Sequence, residues 1–72
     1  MKDEQIKSIA ESEDLSVKVV NENGKELLYV QDSEGNTVIT SVLDHLSESL
    51  REKGIETQYD IDDDGIEILH IL

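Results

Sequence analysis

The chain has 72 residues, 18 of them acidic and 6 basic, giving a formal net charge of −12, and it lacks Cys, Pro, Trp and Phe. That length suits one compact domain, and the absence of Cys removes disulfide frameworks, thiolate metal sites and thiol nucleophiles. Lys2, Lys7, Lys18, Lys25, Arg51 and Lys53 stand singly among the carboxylates, so neither nucleic acid nor an anionic membrane is an expected direct ligand.

The N-terminus has no apolar signal core, and no apolar run approaches the roughly 20 residues of a membrane span, which points to a soluble, cytoplasmic protein. Apolar residues make up 36% of the chain. They are mostly Ile, Leu and Val in ordered patterns, which favours a fold over disorder.

In chain order, Ile6, Ile9 and Ala10 fall at helical spacing between Asp3 and Glu13. Asp3 suits the N-cap and Glu4 the positive first turn. Leu15-Ser-Val-Lys-Val19 alternates with period two, and Asn23-Gly24 supplies the two positive φ angles of a type I′ turn before Glu26–Val30. Asp32–Asn36 is a second turn cluster, and the β-branched run Thr37–Thr40 predicts a third strand that completes a meander. Ser41 with Asp44 resembles a capping box, and Val42, Leu43, Leu46 and Leu50 line one face of a second helix that ends at Lys53, with Gly54 at C′. Ile55, Thr57, Tyr59 and Ile61 then alternate with Glu56, Gln58, Asp60 and Asp62, and Asp63-Asp64-Gly65 turns the chain into Ile66–Leu72. The predicted order is α-β-β-β-α-β-β. This is a single acidic α+β domain over residues 1–72, with two helices on one face of a five-stranded antiparallel sheet. No linker, low-complexity stretch or internal repeat is evident.

Ile66, Ile68 and Leu72 point to one face of the last strand while Leu69 and Ile71 point to the other, and Leu27–Val30 is also apolar on both faces. Two short helices cover only one face, so a second copy of the chain, or another partner, is expected on the other face or the sheet edge.

Asp60, Asp62 and Asp64 with Gly65 match the first half of an EF-hand calcium loop, but position 12 is Ile71 rather than Glu and the flanks read as strands. The alternatives are a hairpin with solvated carboxylates and a weak calcium-binding module at residues 60–65. His45 and His70 are the two imidazoles. His45 with Glu48 supplies only two ligands of the several a metal site needs, and His70 is placed across from Tyr59 or Thr57 on the neighbouring strand. All four glycines are used in turns or at the helix end, which leaves no phosphate-binding loop. No serine sits in a nucleophile elbow, and Ser41, Asp44 and His45 are too close in sequence to converge as a triad. No catalytic residue, no cofactor and no enzymatic activity are therefore expected.

What remains is the acid. Glu56, Asp60 and Asp62 recur along one strand face at about 7 Å per two residues, of the order of phosphate spacing. Asp32 and Glu34 at one turn, and Asp62, Asp63 and Asp64 at another, extend the array. Such an array suits a nucleic-acid mimic that inhibits a basic nucleic-acid-binding protein. The plainer alternative is a solvating surface on a small homodimeric structural or accessory protein.

From the first helix through Leu15-Ser-Val-Lys-Val19, Val30-Gln-Asp-Ser-Glu-Gly-Asn-Thr-Val-Ile39 and the second helix, residues 1–53, the chain resembles small acidic phage anti-CRISPR proteins. These mimic DNA and inhibit a type II CRISPR effector nuclease. The resemblance implies a domain seated in the nuclease's site for the protospacer-adjacent motif, acting in the host-cell cytoplasm, with contacts from Glu34, Gly35 and Asn36. Together with Asp32, Glu56, Asp60, Asp62, Asp63 and Asp64, these are the expected partner-contact residues.

Overall fold

The structure, a computed structural model, describes residues 2–72. They form α1 (Lys2–Ser12), β1 (Leu15–Glu22), β2 (Lys25–Asp32), α2 (Thr40–Glu52), β3 (Thr57–Ile61) and β4 (Glu67–Ile71). The strands make one antiparallel sheet in the order β1-β2-β4-β3. This is the expected α+β architecture with one strand fewer.

Helix periodicity and strand alternation meet at a single seam. Ile6 and Ala10 of α1 and Leu43, Leu46 and Leu50 of α2 are buried. They pack with Leu15, Leu28, Val30, Leu69 and Ile71, the inward set of alternating strand residues. Both helices therefore lie on one face. Each large apolar side chain taken fully out of water there contributes roughly 1.5–3 kcal/mol.

Local chemistry ends the elements where the sequence predicts. Asn23 (φ 52) and Gly24 (φ 79) both take the left-handed conformation that a type I′ turn requires. At the end of α2 the N–H of Gly54 donates to the carbonyl of Arg51 (2.9 Å) and that of Ile55 to Leu50 (2.9 Å). This is a Schellman motif, with Ile55 buried next to the helix it terminates.

Three local expectations are corrected. Thr37–Thr40 is not a strand: one isolated bridge joins Gln31 to Thr37, and α2 begins at Thr40. The reason is competition for an edge. A meander strand would have to occupy the side of β2 that β4 takes, and β4 brings Ile68, Leu69 and Ile71, all buried. The capping box is also absent: Ile39 is the N-cap of α2, with no side-chain cap bond, and Ser41 lies inside the helix. In α1, Asp3 sits within the first turn instead of capping it.

Candidate functional site: an acidic pole and an uncovered sheet face

Strand direction decides where the acids collect. β2 and β3 are each antiparallel to β4, so they run the same way and their C-terminal turns leave the same end of the sheet. Those turns are Asp32–Asn36 and Asp62–Ile66, and their hydrogen bonding is the same. Asp32 Oδ1 accepts from the N–H groups of Glu34 (2.9 Å) and Asn36 (2.9 Å). Asp62 Oδ1 accepts from those of Asp64 (3.0 Å) and Ile66 (2.8 Å). In each turn the glycine N–H donates to the aspartate carbonyl at 3.0 Å. Gly35 (φ 84) and Gly65 (φ 82) supply the left-handed residue that closes the loop.

The leading aspartates thus build the turns, and the acids they display, Glu34, Asp63 and Asp64, are exposed. β1 starts at this same end, which adds Glu13 and Asp14. The cations lie in α1, within β1, at the start of β2 and at the far end of α2. The end of the molecule that carries both turns is therefore a pole of one sign.

The sheet face away from the helices carries Lys18, Val20, Leu27, Tyr29, Gln58, Asp60, Ile68 and His70, by the alternation of the core residues. A groove of about 350 Å³ lies on it. Leu27, Tyr29 and Ile68 supply apolar surface, and Glu22, Asp60, Asp63 and Asp64 supply carboxylates; Lys25 is the one cation among the lining residues.

Tyr29 donates its hydroxyl to Asp62 Oδ2 at 2.9 Å. Tyr29 is on β2 and Asp62 follows β3, so this bond reaches over the intervening strand β4, on which Ile68 is only 1% exposed. The apolar residues of this face, Leu27 included, are thus largely covered within the single chain. Asp62 has both oxygens engaged, and its pKa lies below the ordinary carboxylate value. The Ile66 N–H is the main cause, helped by the Tyr29 hydroxyl and the Asp64 and Gly65 N–H groups and opposed by partial desolvation. The Tyr29 hydroxyl is shifted upward, first by its bond to Asp62 and then by desolvation and the charges of Asp62, Glu22 and Asp64.

A second carboxylate works the same way on the helix side of the sheet. Glu67 Oε1 accepts from the hydroxyls of Thr40 and of Tyr59, the latter at 2.8 Å. These bonds, that of Thr40 foremost, lower the Glu67 pKa, and the bond to Glu67 raises that of Tyr59.

The expected contact residues divide accordingly. Asp32, Glu34, Gly35, Asn36, Asp62, Asp63 and Asp64 lie in the two turns that leave the same end of the sheet. Asp60 lies on the groove, opposite Ile68. Glu56 lies at the opposite end of β3, where its carbonyl accepts from the N–H of Leu72 at 3.0 Å. Asp60, Asp62 and Asp64 do not converge as calcium ligands: Asp60 Oδ1 takes the N–H of Ile61 and Asp62 holds the turn. Among the described residues no group of three or more His, Cys, Asp or Glu side chains is placed to hold a metal ion. His70 faces Gln58 and Leu27, not Tyr59 or Thr57.

The turn-building roles of Asp32 and Asp62 escape a search for acidic clusters, although the repeated spacing of Asp three residues before Gly signals them. Glu13, with one oxygen buried and unpartnered 3.7 Å from His45 Nε2, has no sequence signal at all.

Among the described residues no helix is long and apolar enough to cross a membrane. No protein-family model matches the chain, and neither does any curated protein or solved structure.

Proposed function

We propose that the chain is a non-enzymatic inhibitor that presents its acidic pole to the basic groove of a nucleic-acid-binding protein, in the manner the anti-CRISPR resemblance implies. The observation that carries this reading is the convergence of two turns, distant in sequence, on one end of the sheet that holds no Lys or Arg. A field of one sign at one end steers a cationic partner from a distance and orients its approach. The adjoining groove, apolar below and carboxylate-lined, receives the aliphatic stem and charged head of a Lys or Arg from that partner.

The test is a pull-down from a cell lysate at about 0.1 M and about 1 M salt, between which the screening length falls from about 10 Å to about 3 Å. The expected result is a nucleic-acid-binding protein that is retained at low salt, released at high salt and displaced by added DNA or RNA. A partner that binds alongside its nucleic acid refutes mimicry. Recovery that does not respond to salt refutes the role of the pole.

A further inference from the structure

The element order α1-β1-β2-α2-β3-β4 divides into two halves of the same αββ order, and the sheet order β1-β2-β4-β3 reads the same from either edge, outer strand then inner strand. The correspondence extends to individual residues of the helix ends and the inner strands. Shifting α1 and β1 forward by 40 positions lays Ser12 on Glu52, the last residues of the two helices. It lays buried Ile6 and Ala10 on buried Leu46 and Leu50. It lays Asp14 (φ 59) on Gly54 (φ 82), so both helices end on a left-handed residue. The next residues, Leu15 and Ile55, are 8% and 7% exposed.

A shift of 41 lays Gly24-Lys-Glu-Leu-Leu-Tyr-Val30 of the first half on Gly65-Ile-Glu-Ile-Leu-His-Ile71 of the second, and the succession of buried and exposed positions is the same in both. The single added residue falls in the turn, which has Asn23-Gly24 in one half and Asp63-Asp64-Gly65 in the other. Under this correspondence Leu28 maps to Leu69, and Leu28 is the residue that faces Leu69 in the β2–β4 pair. That pair is its own image, as a residue on a two-fold axis must be.

We infer that the chain is two copies of one αββ unit, residues 2–31 and 42–72, and that the seam between them is a surface that recognises a second copy of this unit, in another chain as well as in its own. An isologous seam uses the same patch from both sides, so the second half of a neighbouring chain meets β2 as β4 does. Covalent connection, not shape, selects the intramolecular pairing. The connection is the segment Ser33–Ile39, whose turn folds the chain back at the Gln31–Thr37 bridge.

Deleting Ser33–Val38 tests this in the full chain. Only Ile39 then joins Asp32 to Thr40, a reach of about 7.6 Å, against layers that pack about 10 Å apart. The expected product is a dimer with exchanged halves, at twice the chain mass by light scattering. A sample mixing labelled and unlabelled chains should show the Leu28–Leu69 contact between molecules. A folded monomer overturns the inference, and so does a chain that stays unfolded at high micromolar concentration. The equivalence of the halves has its own test: deleting Asp63 leaves Asp64-Gly65 as a two-residue turn like Asn23-Gly24. The Ile61–Glu67 pairing and cooperative unfolding should survive, and loss of either refutes the correspondence.

Discussion

Glu34, Asp63 and Asp64 are exposed acids of the two turns, whereas Asp32 and Asp62 hold those turns through their Oδ1 atoms. The combined substitution E34Q/D63N/D64N therefore removes charge and spares the backbone, bringing the formal net charge from −12 to −9. Each exposed charge contact is worth about 0.2–1 kcal/mol, so loss of all three weakens binding to the basic partner about 3- to 150-fold at low salt. Stability moves by no more than about 0.5 kcal/mol, because surface changes of this kind break no buried contact and here relieve repulsion.

The assay is titration calorimetry against the recovered partner at about 0.1 M and about 1 M salt, with thermal unfolding of each variant alongside. The parent and triple variant should differ at low salt and converge at high salt. D62A is the contrast: it should lower Tm through loss of the turn and of the bond to Tyr29. Unchanged affinity in the triple variant would refute the assignment of the pole as the contact surface. A loss that persists undiminished at high salt would refute the electrostatic argument.

Three further outcomes follow from the fold. The pKa values of Asp62 and Glu67 lie below their ordinary values of 3.8 and 4.5. Each carboxylate therefore stabilises the folded state fully above its unfolded value and loses that contribution as pH falls through the lower folded value. Tm should drop as pH falls below about 4, and D62A/E67Q should flatten that slope in a pH series of melting curves. Gly54→Ala forces a side chain into φ +82 with open space around it, so the cost is conformational. It amounts to about 1–2 kcal/mol, a fall in Tm of about 4–16 °C by calorimetry. Leu28→Ala empties a fully buried position on the seam between the halves. It should cost about 2–5 kcal/mol in denaturant unfolding, a large part of the roughly 4–11 kcal/mol available to a domain of this size.

The parts of this fold legible in sequence are those that local chemistry decides. Asn23-Gly24, Gly54 and the Leu43/Leu46/Leu50 stripe each specify their geometry within a few residues. Thr37–Thr40 has the β-branched composition of a strand and follows a genuine hairpin turn, yet it loses β2's edge to a more apolar segment that comes later in the chain. No local pattern reports that contest. The acids were legible as clusters, but their union in one pole depends on β2 and β3 running in the same direction, which is a property of the sheet order. The repeat is hidden for a different reason. Its two halves keep burial and backbone conformation at the helix ends and in the inner strands while changing most side chains, and the extra residue in the second turn shifts the alignment from 40 to 41 positions partway through.

The bond from Tyr29 across β4 to Asp62 ties the solubility of the protein to its charge. Acid that protonates Asp62 removes the acceptor that holds the tyrosine over Ile68. An apolar patch then opens on the face away from the helices. Solubility should therefore fall at low pH once that bond is lost, a change that light scattering against pH would report.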